Sequence, residues 1–328
     1  MTPLRWGVLG VANIAVRVVI PALQRAGNGR LVAIASRTAE RARDAAQRLQ
    51  IPRVHASYEA LLADPEVDAL YIPLPNSMHR EWTTRAADAG KHVLCEKPLA
   101  LTAADCAAMI AACRDRGVVL MEAFMYRFHP RTIRVAQLAR DGALGDVRLV
   151  RASFSFRVLA PENIRLQPAL GGGALYDVGC YGINVSRLIL GEPRDTLAVA
   201  TPAPSGVEGT LAAVLRFEGD RLALIDCSLS LSRREEYEVV GTEGRLTVPA
   251  AFLPGIADAE IRLIHGTERS VETIPGVNQY QLMVEHFADV VAGRTPLTLP
   301  PEDAVANLRV IEAALRSARS GRVEAVGP

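Results

Sequence analysis

Leu4-Arg5-Trp6-Gly7-Val8-Leu9-Gly10-Val11-Ala12-Asn13-Ile14-Ala15 is the stretch that decides the fold. Leu4 to Leu9 is a short apolar run, the pattern of a strand buried on both faces of a parallel sheet. Gly10 follows at once, and from Ile14 to Arg25 apolar residues recur at helical spacing. Within this stretch, Gly10 to Ala15 is a Gly-x-Gly-x-x-Gly turn with alanine at the second and third glycine places. Gly10 permits the tight turn. Ala12 is small enough for backbone amides to approach a pyrophosphate, and Ala15 lets the helix lie close to the strand. The helix N-terminus at Asn13 and Ile14 then aims N–H groups at the phosphates. An ordinary strand–helix turn would carry a similar pattern, but the place at the first strand–helix junction favours dinucleotide binding.

Working outward, the alternation continues. Leu31–Ala35 reads as a second buried strand, Ala39–Leu49 as a helix, Val54 as part of a third strand and Tyr58–Leu62 as a short helix. Ala69–Ile72 and His92–Cys95 are strands around the helix Met78–Ala89. Thr102 caps a helix to about Arg116, with Asp105 in its first turn, and Val118–Met121 is a strand. Strand–helix repetition with short loops predicts a doubly wound parallel sheet. Near Phe124 the pattern changes. Thr132–Asp141 is helical, and Val147–Phe156 alternates like a half-buried strand. A single helix is expected from the Gly171–Gly173 loop to about Leu190, then mostly strands from Thr196 to Ile274, then helices at Gln279–Ala292 and Pro301–Ser320. The expectation is therefore an α/β protein. Residues 1–123 form a doubly wound Rossmann domain. Residues 124–328 form an α+β domain with a large, mostly antiparallel open sheet, whose last helix can pack back on the first domain.

Bulk properties narrow the function. The 328 residues are enough for two domains, and 49% are apolar. The net charge of +1 implies no polyanion partner, and no nucleic-acid-reading motif is evident. Five cysteines, with no Cys-x-x-Cys pair, fit a reduced, cytosolic protein without a zinc site. Trp6–Leu23 is apolar but interrupted by Asn13 and Arg17, and no run reaches membrane-spanning length, so no membrane association and a cytoplasmic location are expected.

The chemistry-bearing residues cluster at predicted strand ends. After the second strand stands Ala35-Ser36-Arg37, where an NAD-selective site would place a carboxylate. Ser36 can donate a hydrogen bond, Arg37 is cationic and Arg41 lies one turn on. That set suits a 2′-phosphate, hence NADP rather than NAD. Pro73-Leu74-Pro75-Asn76-Ser77-Met78-His79 falls at the ligand edge of the sheet. Asn76 and His79 are candidates there, although Asn76 also reads as a helix cap and His79 as an exposed first-turn residue. Glu96-Lys97-Pro98 occupies the same edge, where Lys97 would lie close to a bound nicotinamide; taken alone it also reads as a surface ion pair. Gly171-Gly172-Gly173 precedes Asp177 and Tyr181, four apart and so on one helix face. Spacing alone favours a buried tyrosine merely satisfied by Asp177 over a functional pair.

With Glu96-Lys97-Pro98 and Gly171-Gly172-Gly173-x-x-x-Asp177-x-Gly179-x-Tyr181, the chain resembles the glucose-fructose oxidoreductase, inositol dehydrogenase and rhizopine catabolism family (Gfo/Idh/MocA) over essentially its whole length. Tyrosine at position 181, where much of the family has histidine, is similar to the branch of dimeric dihydrodiol dehydrogenases and NADP-dependent D-xylose 1-dehydrogenases. Met121 to Pro130 and Asn163-Ile164-Arg165-Leu166 also resemble that branch. The two alanines of the turn depart from the pattern but keep its physics.

The resemblance implies an oxidoreductase that moves a hydride between nicotinamide and a CH–OH group of a sugar or polyol. Tyr181 is then the acid/base. A phenol titrates near pH ~10, and the Lys97 ammonium favours its phenolate. Lys97 as the direct proton carrier is the alternative. Asp177 orients the substrate hydroxyl or holds Lys97; Arg165 is a candidate for binding substrate and Arg127 for binding cofactor, although each equally reads as a structural arginine. The leading expectation is D-xylose-like C1 oxidation to a lactone, followed by a dihydrodiol dehydrogenase or a keto-sugar reductase. A non-catalytic NADP-binding regulator is the reading from another class. The resemblance also implies a homo-oligomer, a dimer or a dimer of dimers, and a cleft that brings the two motifs together. No metal is expected.

Overall fold

The structure is a computed structural model that describes residues 2–327. Its first sheet contains β1 (Leu4–Leu9), β2 (Gly29–Ala35), β3 (Arg53–His55), β4 (Ala69–Ile72), β5 (His92–Cys95) and β6 (Leu120–Glu122). Their order is β3-β2-β1-β4-β5-β6, and every neighbouring pair is parallel. Leu9 pairs with Ala35 and Ile72 with Cys95, so these strands finish level. Gly10, Ser36, Pro73 and Glu96 therefore all leave by one edge. The order reverses between β1 and β4, the switch point at which open parallel sheets bind ligands.

Two local features depart from the sequence expectation. The helix expected at Ile14–Arg25 is divided into a π-helical turn, Ala15–Val19, and an α-helix, Ile20–Arg25. Pro21 has no N–H to give the carbonyl four residues earlier, which breaks the ordinary ladder and favours the wider turn. The strand expected at Val118–Met121 begins later, at Leu120. Val118 gives its N–H to Cys113 O at 3.0 Å and so belongs to the end of the preceding helix.

The chain forms two compact units. The first runs to Phe128 and takes in Asn278–Val305; the second comprises His129–Val277 and the chain from Ala306 onward. The change of unit thus falls a few residues after the expected 123/124, and the return to the first unit begins with the helix Gln279–Val291 rather than with the last helix. That helix buries Phe287 against Trp6, ring centroids 5.1 Å apart, while Asn28 Nδ2 donates to Glu285 O at 2.8 Å.

The second sheet contains β7 (Val147–Ser155), β8 (Asp195–Pro202), β9 (Glu208–Arg216), β10 (Leu222–Ser228), β11 (Arg234–Gly241), β12 (Gly244–Pro249), β13 (Ala259–His265), β14 (Glu268–Ile274) and β15 (Glu324–Ala325). Its order is β14-β13-β12-β11-β7-β10-β9-β8-β15. β7 and β10 are parallel, and the other pairs are antiparallel. The helix Cys180–Leu190 covers one face, where Gly182 lets it settle onto Ala152 and Ile225. On the other face, Leu197, Val199, Leu222 and Leu224 are exposed. Among the described residues no helix is long and apolar enough to cross a membrane, and no group of three or more His, Cys, Asp or Glu could hold a metal ion.

His129 opens the helix Pro130–Arg140 by accepting the Arg131 N–H on Nδ1 at 3.0 Å. Burial, and then the charge of Arg131, lower its pKa to about 4 from the ordinary 6.5. A histidine depressed in this way contributes stability that is present above its unfolded pKa and lost as pH falls through the folded value. Chemical denaturation from pH 7 to pH 4 should therefore show a flatter stability profile for His129→Asn, which keeps a capping oxygen without a titrating ring, than for the wild type.

Candidate active site

In the first unit, Gly10 adopts φ +129, a conformation that only glycine adopts readily. A Cβ there would lie 3.1 Å from Leu74 Cδ2, so the turn after β1 and the loop after β4 touch through the missing side chain. Ala12 and Ile14 are half-buried, and Asn13 is exposed. Beyond β2, Ser36 is buried while Arg37 and Arg41 are exposed. Burial pushes the Tyr58 phenol up, and the charges of Arg37 and Arg41 pull it back down. Arg37 and Arg41 are thus both near enough to Tyr58 for their charges to act on it. A hydroxyl and two cations there fit a 2′-phosphate.

Pro73 is buried, and Asn76 begins the short 3-10 turn Asn76–Met78. His79 does not project toward a ligand as expected. It is fully buried, with Nδ1 3.0 Å from Pro98 O and Nε2 2.8 Å from Leu74 O. Burial lowers its pKa, and the carbonyls of Leu74 and Pro98 oppose that shift. Fully buried between the Leu74 and Pro98 carbonyls, His79 sits where the Leu74 loop meets the Lys97–Pro98 turn and supports both instead of facing a ligand.

Glu96 leaves β5 with its carboxylate already engaged. Tyr71, fully buried on β4, donates its hydroxyl to Glu96 Oε1 at 2.6 Å, and Lys97 N–H donates to Oε2 at 3.3 Å. The Lys97–Pro98 peptide is cis. Just beyond it, Leu99 N–H donates to Glu122 Oε1 at 2.8 Å. Lys97 itself is half-buried. Arg127, expected at the cofactor, lies 3.8 Å from Asp303 in an ion pair.

In the second unit the triple glycine has a steric cause. A Cβ on Gly172 would fall 2.5 Å from Arg165 O, a backbone atom that cannot swing away. One on Gly173, which has φ +128, would overlap the Glu208 carboxylate. That carboxylate instead accepts the Leu175 N–H at 3.0 Å and so caps the turn that follows. Burial raises the Glu208 pKa, and backbone N–H groups, Leu175 among them, oppose that rise.

The helix expected after the glycines begins as a π-helical turn, Leu175–Gly179, before the α-helix Cys180–Leu190. A π turn closes from i to i+5, so the four residues from Asp177 to Tyr181 do not complete a turn. Asp177 thus stands inside the π turn and Tyr181 in the first turn of the α-helix. Asp177 accepts from Arg165 Nε at 2.6 Å, with side-chain exposures of 14% and 38%. The Arg165 guanidinium lies 5.7 Å from the centre of the Phe156 ring. Tyr181 is 4% exposed and packs against Phe154 at 5.4 Å and Phe252 at 5.0 Å between centroids.

Sequence reasoning missed Tyr71 and Glu208, and gave no role to Glu122 or to the contact of Phe252 with Tyr181. Tyr71 was hidden inside an apolar strand. Glu122 stood in the quoted Met121–Pro130 segment, and its acid directly after an apolar run was a usable signal. Glu208 and Phe252 lie far along the chain from the residues they support, so no local pattern reveals them.

Residues 4–124 match the family model described as oxidoreductase family, NAD-binding Rossmann fold, and residues 132–247 match the GFO/IDH/MocA C-terminal domain. A D-xylose 1-dehydrogenase (NADP(+)) from Haloferax volcanii is 43% identical over 96% of this chain and 98% of its own length. The 3-ketoreductase KijD10 from Actinomadura kijaniata, solved with NADP and TDP-benzene, superposes with a TM-score of 0.92 at 32% identity, covering 96% of this chain and 98% of that one. The aldose-aldose oxidoreductase from Caulobacter crescentus, solved with glycerol, gives 0.91 at 36% identity, covering 98% and 99%.

Gly172→Ala should cost about 1–3 kcal/mol in denaturant unfolding, because the Arg165 backbone has to shift. Gly27→Ala has nothing within 4 Å of the added carbon and should change stability by less than about 0.5 kcal/mol. Equal effects would show that the glycine loop is not packed as described.

Proposed function

This chain belongs to the Gfo/Idh/MocA oxidoreductase family, and from that premise we propose that it is an NADP-dependent dehydrogenase oxidising an aldose, D-xylose first, at C1 to the lactone. The resemblance to the Haloferax volcanii D-xylose 1-dehydrogenase over nearly the full length is the observation that carries the substrate assignment. The Gly10–Ala15 turn would hold the pyrophosphate. Ser36, Arg37 and Arg41 would hold the 2′-phosphate, and Pro73, Asn76, Glu96, Lys97 and Pro98 the nicotinamide side. Arg127, paired with Asp303, would act from the edge of that set. NADP, when bound, supplies the carbon that accepts the hydride.

The remaining chemistry falls to side chains. In oxidation Tyr181 removes the proton from the substrate hydroxyl as the carbon gives up its hydride. An apolar aromatic surround disfavours the phenolate. Tyr181 therefore needs a partner cation, and Lys97 is the residue assigned to it. Asp177 is held by Arg165 Nε, so its carboxylate is fixed in direction before a substrate hydroxyl arrives. Arg165, partly exposed over Phe156, offers further donors to the sugar.

A second reading runs the same groups in reverse, with NADPH reducing a keto-sugar and Tyr181 giving the proton. The likeness to the 3-ketoreductase KijD10 supports it. We also assign the exposed face carrying Leu197, Val199, Leu222 and Leu224 to pairing with a second copy. Leu197 stands beside Val214, which stands beside Leu224, so the apolar side chains are contiguous across three strands.

Aldoses, dihydrodiols and keto-sugars assayed with each cofactor test the proposal. D-Xylose should be oxidised with NADP at least about tenfold faster than with NAD, and Arg37→Ala should narrow that ratio. Faster turnover with NAD would overturn the cofactor argument, and a keto-sugar reduced far faster than any aldose is oxidised would favour the second reading. In sedimentation, Leu224→Asp should shift the protein to monomer, and a wild-type monomer at micromolar concentration would refute the pairing.

A further inference from the structure

Tyr181 is enclosed on one side by Phe154 and Phe252, which stack on each other 5.5 Å apart at 12°. Phe154 comes from β7 and Tyr181 from a helix, so ladder and helical hydrogen bonds fix both backbones. Phe252, fully buried, comes instead from the irregular segment after β12. That segment turns at Ala250, which has φ +43, a left-handed conformation that a side chain disfavours. Something outside the segment has to hold the turn.

Arg131 does so. It is 2% exposed, and its guanidinium donates to three consecutive carbonyls: Nη1 to Pro249 O at 2.7 Å, and Nη2 to Ala250 O at 2.6 Å and Ala251 O at 3.0 Å. Burial lowers its pKa, opposed by the charges of Tyr237 and Glu235. A buried guanidinium held by backbone carbonyls is expensive to desolvate, and such arrangements persist where they fix a conformation that matters. Its backbone is fixed in turn, because its N–H caps onto His129.

We propose that Arg131 is a positioning residue for the reaction: by holding Pro249–Ala251 it sets Phe252 against the Tyr181 ring and keeps the phenol in one orientation. This rests on the reading of Tyr181 as proton carrier. Arg131 is 2% exposed with its guanidinium spent on three backbone carbonyls, so its loss should act on the chemical step and not on ligand binding. A misplacement of about 1 Å at a reacting group can cost up to about a hundredfold in rate.

Arg131→Met, Arg131→Lys, Phe252→Leu and the double variant Arg131→Met/Phe252→Leu, assayed beside Tyr181→Phe, test it. Arg131→Met and Phe252→Leu should each lower kcat about tenfold, with sugar KM and NADPH affinity within about twofold of wild type. Arg131→Lys, which keeps donors, should recover part of the loss. The double variant should be no slower than the slower single variant, because both act along one path. If Arg131→Met fails to fold, Phe252→Leu carries the test alone. Normal kcat in Phe252→Leu, or losses that multiply in the double variant, would overturn the proposal. Near-normal turnover in Tyr181→Phe would instead sink the reading beneath it.

Discussion

The candidate site depends on close approach to the backbone where a side chain is missing. Gly172 lies against the Arg165 carbonyl and Gly173 against the Glu208 carboxylate, so the loop from 165 to 173 folds tightly on itself. Only in that fold does Arg165 reach Asp177. Gly179 and Gly182 repeat the device one turn later and let the Tyr181 helix rest on Cys227, Ile225 and Ala152. In the other unit Gly10 does the same against Leu74. These glycines set distances that no flexible side chain could hold constant.

Around the candidate residues, buried polar side chains fix the backbone and its neighbours. Tyr71 orients Glu96, Glu122 anchors the chain just past Pro98, and His79 joins the Lys97–Pro98 turn to the loop that touches Gly10. In the second unit Glu208 caps the turn that carries Asp177, and Arg131 holds the segment that carries Phe252. Each of these groups is held by partners within the protein itself, the kind of preorganisation that the proposed chemistry requires. Both helices that carry candidate residues also begin with a π turn, at Ala15–Val19 and Leu175–Gly179. Such turns recur at functional sites because they re-aim side chains without ending the helix.

The parallel sheet was legible because its strands are buried on both faces and read as plain apolar runs, with Gly10, Ser36, Pro73 and Glu96 at their ends. The antiparallel sheet was legible as a class, though several of its strands were not individually placed. What stayed hidden was long-range or irregular. Arg165 meets Asp177 through a glycine loop, not through a repeat. Glu208 is 33 residues beyond Leu175, and Arg131 is 118 residues before Pro249. His79 was expected at the ligand edge, with an exposed first-turn residue as the alternative, because a histidine in a helix's first turn gives no sign that two loops will close over it. The return of Gln279–Val291 to the first unit depends on Phe287 meeting Trp6, and amphipathic spacing cannot name the surface it will cover.

The central claim is that Tyr181 moves the proton and Lys97 tunes it. The most direct measurement is the pH dependence of kcat/KM for NADP-linked sugar oxidation in the wild type, Tyr181→Phe and Lys97→Met. The account predicts a wild-type rate that rises with pH through one ionisation. In Tyr181→Phe it predicts a loss of about 10²–10⁴-fold together with that limb, and in Lys97→Met a limb displaced to higher pH. A Tyr181→Phe enzyme that keeps near-normal turnover and the wild-type pH profile would contradict it.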